Sequence, residues 1–231
     1  MQNLHKFIIM NLDENLVTEK ENLKLTDREI FTKIWTSPRL VFKYLNDTSY
    51  DKFVTILLIL SGISRTIDRA SIKNIGDKLS LMAVLAICII LGGLLGWITY
   101  YIYAVLMSWT GKWLKGKGDT NSLLRMMSHA MIPSIIALIL LIPQIAIFGN
   151  GIFQSDIDVY GSGLLSIIIF YFTLFLEITL GIWTIVLFII GISEVQKLSI
   201  GKSILNMILP GLIIIVPIAV IAFILGDIFG R

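Results

Sequence analysis

Long apolar runs separated by short charged stretches organise this chain. Five runs read as membrane spans: about Phe53 to Ser64 ("FVTILLILSGIS"), one within Leu79 to Gly111, one within Met126 to Ile147, Gly163 to Ile192, and Ser203 to Gly226. The last four reach the roughly 20 residues that carry a helix across a ~30 Å hydrocarbon core. The first is short, with Lys52 and Arg65 at its ends able to snorkel. The runs are continuously apolar and do not alternate with period two, which argues against a β-barrel. The pattern predicts an all-α polytopic membrane protein with five transmembrane helices behind a cytoplasmic amphipathic helix.

Ahead of the first run the periodicity changes. Residues 1–25 are polar and mixed in charge, and read as a loose arm. Residues 26–50 read as an interfacial helical segment, and residues 51–231 as the membrane domain. Thr26 followed by Glu29 is a capping-box pattern. Ile30, Phe31, Ile34 and Trp35 follow on one helical face, and Pro38 should end or bend that helix at Ser37. Val41, Phe42, Tyr44 and Leu45 resume the apolar surface beside Arg39 and Lys43. Aromatic and basic residues together suit a helix in the headgroup region. A docking helix for a protein partner is the alternative, and Phe31, Trp35, Pro38 and Arg39 are the candidate contacts for either.

Composition strengthens the membrane reading. The chain is 56% hydrophobic with a mean hydropathy of +0.85, and its few charges cluster between the runs. A net charge of +3 over 231 residues is too small to point to nucleic acid. The lone Cys88, inside an apolar run, reads as a small buried residue. No cleavable signal sequence is expected, because acids follow the short N-terminal apolar stretch at once.

Charge also orients the spans. Loop two carries Lys112, Lys115, Lys117 and Arg125, loop four carries Lys197 and Lys202, and eight Lys and Arg precede the first span. Loop three has none, but has Asp156 and Asp158. The positive-inside rule then places the N-terminus and loops two and four in the cytoplasm of a cell-membrane protein, with loop three and the C-terminus outside. Loop one dissents, with Arg65, Arg69, Lys73 and Lys78.

Enzyme signatures are poor. "IGKS" at Ile200 to Ser203 lacks the first glycine of a phosphate-binding loop, whose place Gln196 takes, and no strand precedes it. "KGKGDTN" reads as a flexible turn between spans. His5 and His129 belong to no metal-spaced cluster. His129 reads as a satisfied interfacial histidine, or more sharply as a proton relay or a partner for Glu177. No catalytic constellation is apparent, so neither enzymatic activity nor a cofactor is expected. Pro133 and Pro143 should kink span three, and Pro210 and Pro217 span five. Broken spans can mark a transporter's binding site, yet proline is also common in membrane helices.

Span four holds one charge-bearing side chain, Glu177, near its midpoint. At 100° per residue Gly163, Ser166, Thr173, Gly181, Thr184 and Gly191 share its face. Span two has a comparable stripe: Gly92, Gly96, Thr99, Tyr103 and Thr110. Small residues let helix backbones approach and hydroxyls bond across. The two stripes are expected to face each other or a shared polar seam. No Lys or Arg falls inside a proposed span, so Glu177 is expected to be protonated and to donate to Tyr103, Thr99 or a freed carbonyl. Helix-packing glue, a proton-linked site and a contact with another membrane protein all remain open for it.

Three segments resemble the Ypt-interacting-protein (YIP) domain family: "IFTKIWTSPRLVFKYL", "GKWLKGKGDTNSLLRMMSHAMIP" and "IWTIVLFIIGISEVQKLSIGKS". They resemble the family's opening aromatic and proline segment, its glycine-rich loop, and its tryptophan-containing span with the small-residue loop behind it. The resemblance implies a five-span protein without enzymatic residues. Eukaryotic members bind Rab-type GTPases, and one bacterial branch accompanies an ABC-type exporter. Glu177 gains no support from the resemblance. The first reading is therefore a non-catalytic component of a transport complex, such as an ABC-type exporter protecting against a toxic peptide. Its partners would be the lipid bilayer and other membrane proteins, ABC transporter subunits or further copies among them. The second is a self-contained small transporter or lipid-handling protein that uses Glu177.

Overall fold

The computed structural model describes residues 24–161 and 163–229. Most of the polar arm expected at residues 1–25, and Arg231, lie outside them. Among the described residues the chain forms α-helices joined by short turns, with no β-strand. The helices are α1 (Asp27–Lys33), α2 (Pro38–Asp47), α3 (Val54–Ile72), α4 (Leu81–Trp113), α5 (Thr120–Ala130), α6 (Ile132–Ala137), α7 (Leu141–Phe148), α8 (Leu164–Gln196) and α9 (Ile200–Phe229).

The N-terminal pair forms from local signals. Thr26 caps α1 in a full capping box: its hydroxyl accepts from the Glu29 N–H at 3.3 Å, and the Glu29 carboxylate accepts from the Thr26 N–H at 2.9 Å. Lys33 donates to the same carboxylate at 2.7 Å. These bonds hold the Glu29 carboxyl at about 2, below its ordinary 4.5. A lowered carboxyl stabilises the fold above the unfolded value and loses that contribution as pH falls through the folded one. The protection of α1 amides against hydrogen exchange, measured relative to that of α2 amides at the same pH, should therefore fall as pH drops from 4.5 towards 2. α1 ends at Lys33, and Pro38 opens α2, where its missing N–H costs nothing.

Both helices spend their apolar faces on the bundle. Ile30, Ile34, Val41, Phe42 and Leu45 are at most 1% exposed, packed with Leu123, Met126, Met127, Leu187 and Ile192. Each such burial contributes about 1.5–3 kcal/mol. Phe42 fits because Gly191 of α8 lacks a side chain: a Cβ there would lie 2.5 Å from Met126 and 3.3 Å from Phe42. An ion pair adds to this clamp. Arg125, buried in α5, donates from Nε to Asp51 Oδ1 at 2.8 Å and from Nη2 to Oδ2 at 3.4 Å. Asp51→Ala strands the buried guanidinium. The expected loss is about 1–3 kcal/mol, read as a lower unfolding temperature in detergent.

Among the described residues, four helical stretches are long and apolar enough to cross a membrane: Leu81–Trp113, Thr120–Phe153, Leu164–Gln196 and Ile200–Ile221. The first expected span is not among them. Its helix does not stop at Ser64 but continues as α3 to Ile72, taking in Arg65, Asp68 and Arg69. Nineteen residues still make α3 about 28 Å long. α3 lies along α4 at close range, Gly62 fitting between Gly92 and Gly96.

The third stretch is broken, as its prolines require. α5 ends at Ala130 with Met131 as its cap, α6 carries Pro133 in its first turn, and a 3-10 turn at Leu138–Leu140 precedes α7 with Pro143. At this turn the Leu138 N–H bonds back to the Ile135 carbonyl, and the Ser134 carbonyl accepts from Ser64 Oγ instead, at 3.1 Å. α9 runs through Pro210 and Pro217 without a break in helical structure. The Tyr103 hydroxyl donates to the Met207 carbonyl in the turn before Pro210.

The two ends of the bundle are distinct. The loop after α3 meets the loop after α7: Asn150 Nδ2 donates to the Gly76 and Leu79 carbonyls at 2.9 and 3.0 Å, and the Ser155 N–H to Asp77 Oδ1 at 3.0 Å. At the other end the loop after α4 meets the end of α8, with the Lys117 N–H donating to the Gln196 carbonyl at 3.0 Å. α1 and α2 dock there too.

Candidate functional site

The polar stripe of α8 faces the broken α5–α7 path, not α4. Ser166, Thr173, Thr184 and Gly191 are buried, Glu177 and Gly181 half-buried, and Gly163 exposed. Thr173 Oγ1 gives its proton to the Ile169 carbonyl at 2.8 Å and accepts from Gln144 Nε2 at 3.0 Å. The same amide donates to Glu177 Oε1 at 2.8 Å. Thr184 likewise donates to the Leu180 carbonyl, so Ser134 is the donor in the 2.9 Å bond between their hydroxyls.

This corrects two expectations. The α4 stripe does not meet the α8 stripe: Gly92 and Gly96 face Gly62 of α3, Tyr103 reaches α9, and Thr110 accepts from Asn206 of α9 at 2.8 Å. Tyr103 and Thr99 therefore do not hold Glu177; Gln144 does. Helical period reveals that a face is special but carries no information on which neighbour it meets. Gln144 was missed, although a lone amide in an apolar run, directly after a proline, is a visible signal.

His129 is fully buried and belongs elsewhere. Its Nδ1 lies 2.9 Å from the Arg125 carbonyl, so that nitrogen carries the proton, while Nε2 has no partner. The rings of Tyr50 and Phe31 flank it at 6.2 and 6.5 Å. Fifteen residues separate it from Gln144, roughly 22 Å of helix, so it is not a partner of Glu177. Nor is it satisfied, since one ring nitrogen is orphaned. Of the outward candidates, Phe31, Trp35 and Pro38 are half-buried against the bundle, and Arg39 stands exposed.

Two cavities flank α3. The smaller, about 170 Å³, is lined by Glu177, Gln144, Gly181, Ser71 and Asp68 among others. The larger, about 840 Å³, lies between α3, α4 and α9 and is lined by Arg65, Arg69, Tyr100 and Tyr103 on one side and by Met207, Gly211, Ile214 and Ile215 on the other. Ser64, Asp68 and Ser134 belong to both walls. Asp68 is within electrostatic reach of both Arg65 and Glu177. Arg65, Asp68 and Arg69, read as loop one, thus belong to α3 and border these cavities, each of them exposed. Among the described residues no three His, Cys, Asp or Glu side chains gather as a metal site would need.

A second polar cluster sits at the basic end, around Gln196. This side chain is fully buried. Its Oε1 accepts from the Gly118 N–H at 2.9 Å, and its Nε2 donates to the Met107 carbonyl at 3.2 Å and to Asn206 Oδ1 at 3.4 Å. Gly111, Gly116 and Gly118 close around it, and a Cβ on any of them would collide with it or its neighbours. The "KGKGDTN" segment is therefore not a loose turn. Its glycines exist for close approach, which a reading of the loop alone does not disclose.

Long apolar helices around polar cavities define a multi-pass helical membrane protein. A family profile described as the Yip1 domain matches residues 32–221, from within α1 to α9. The chain belongs to the Yip1 domain family. Comparisons with curated proteins and with solved structures find no match.

Proposed function

We propose that this chain is a non-catalytic component that assembles with a membrane transport complex, of the kind in which a five-span bacterial Yip1 protein accompanies an ABC-type exporter conferring protection against a toxic peptide. The observation that carries the reading is the docking of α1 and α2 on the bundle. Five apolar side chains at most 1% exposed fix this pair, so its outward face, with Arg39, Leu40 and Lys43, is held in a set orientation for a partner. Twelve of the sixteen described Lys and Arg lie at that end or on the elements packed there, and four lie on α3 or its following loop. This favours a cytoplasmic placement in the cell membrane. It also favours α3 as a fifth crossing and an outward C-terminus, because α3 leads from the docked pair to the loop that meets loop three. Affinity purification from membranes tests the reading. Recovery of an ATPase subunit, lost on reversing Arg39 and Lys43 to Glu, supports it; recovery of no transporter subunit rejects it.

A second reading, a self-contained transporter or lipid-handling protein, draws on Glu177 lining a cavity. Glu177→Gln keeps an oxygen for the Gln144 amide. Its stability should change by less than about 1 kcal/mol, whereas Glu177→Leu should cost about 1–3 kcal/mol by leaving one N–H of that amide without its acceptor while Thr173 keeps the other. Lipid or solute flux in liposomes, lost in the well-folded Gln variant, favours this second reading. Unchanged behaviour of that variant leaves Glu177 as helix-packing glue.

A further inference from the structure

The larger cavity is unlike the lipid-facing surfaces around it. Arg65 and Arg69 stand one helical turn apart on α3 and both line it. Arg65 lies eleven residues into α3, about 17 Å from its start, and both arginines are exposed towards this opening. Cations on an otherwise apolar bundle need a counter-charge or water. Among the described residues neither arginine has a carboxylate within ion-pair distance. Tyr100 adds an independent signal. It is 4% exposed, yet its hydroxyl, in the same wall, has no hydrogen-bond partner. Arg65 and Ser61 approach that hydroxyl without completing a bond.

The wall across from these donors is apolar, formed by Met207, Gly211, Ile214 and Ile215. A volume of about 840 Å³ falls within the range of ligand sites. Two guanidiniums beside Asp68 leave one net positive charge, the complement of a monoanionic phosphodiester. Guanidinium pairs well with phosphate oxygens. Asp68, an acceptor in the same wall, favours a donor next to that phosphate.

We propose that this cavity binds one phospholipid of the bilayer, its phosphodiester held by Arg65, Arg69 and the Tyr100 hydroxyl. A hydrogen-bond-donating head group faces Asp68, and an acyl chain lies along α9. The site is independent of the exporter reading, since a bound lipid serves an assembly component and a transporter alike.

The test is native mass spectrometry of the purified full chain in detergent, titrated with phosphatidylglycerol, phosphatidylcholine or inorganic phosphate. Phosphatidylglycerol should bind as one adduct per chain, at least about tenfold more tightly than phosphatidylcholine, whose head has no donor. The double variant R65Q/R69Q should weaken it by about tenfold or more. Ile214→Trp, which fills the apolar side and leaves the charges alone, should weaken it too. Millimolar inorganic phosphate should not compete. Wild-type affinity in R65Q/R69Q, equal binding of phosphatidylcholine, or displacement by free phosphate would overturn the proposal, the last by revealing a soluble-anion site. A photoactivatable phosphatidylglycerol gives a readout free of variants. Labelling within residues 207–215 is expected, and labelling confined to outward residues such as Phe172 and Phe175 overturns the assignment.

Discussion

Gly62→Leu should prevent α3 from docking on α4 and deprive the bundle of its cavities. Gly62 is buried where the two backbones approach most closely. A Cβ at this position would lie 2.6 Å from the Gly96 Cα and closer still to the Gly92 carbonyl oxygen. Both obstacles are backbone, so no rotamer change relieves them. Replacing glycine in a helix gains at most about 1 kcal/mol of propensity. Overpacking a tight contact costs up to about 3 kcal/mol, and more where backbone must move, so the clash wins. Size-exclusion profiles and thermal unfolding in detergent should show aggregation or a clearly lower midpoint. Gly93→Ala is the control, because its Cβ would meet only side chains, Ile59 at 3.7 Å and Ile63 at 3.9 Å, both ordinary contacts. A Gly62→Leu protein that unfolds together with wild type would disprove the α3–α4 contact as described.

What the sequence disclosed and what it withheld follow from the range of the forces concerned. The Thr26 and Glu29 cap, the restart at Pro38 and the broken third span depend on neighbours within four residues, and local spacing contains them. The Glu177 stripe was visible for the same reason. Its partner was not, because Gln144 is 33 residues away and period alone does not choose between facing helices. The end of the first span was misplaced because Arg65, Asp68 and Arg69 look like a loop when lipid is assumed on all sides. They are compatible with a helix once one face of α3 borders a cavity. Gln196 was noticed only as the wrong residue for a phosphate-binding loop. Its importance lies in contacts with residues from position 107 to 206, which no local window spans.

Gln196→Leu is the second large expected effect. The two side chains are similar in bulk, so the change is chiefly the loss of an amide from a dry site. The Gly118 N–H and Asn206 Oδ1 both lose their Gln196 partner. The Met107 carbonyl keeps Asn206 Nδ2 at 3.0 Å, so it is not orphaned. Two stranded polar groups at about 1–3 kcal/mol each give a loss of roughly 2–4 kcal/mol, and the group nearer the surface regains water. Gln196→Glu should be no milder despite its shape, since an oxygen replaces the amide nitrogen opposite the Met107 carbonyl and Asn206 Oδ1. The loop should report the damage as well as the melting curve. With the Gly118 N–H released, the loop keeps the Ser108 bond to the Gly118 carbonyl and the Lys117 N–H bond to the backbone carbonyl of residue 196, yet trypsin should cut at Lys115 and Lys117 faster than in wild type. Unaltered cleavage and an unaltered midpoint would mean that the glycines pack without the amide's help. The predicted outcome makes Gln196 the residue that fixes loop two against α8. Since α1 and α2 are fixed at the same end, the face proposed above as cytoplasmic is a rigid one, which is what a surface for assembling a larger complex requires.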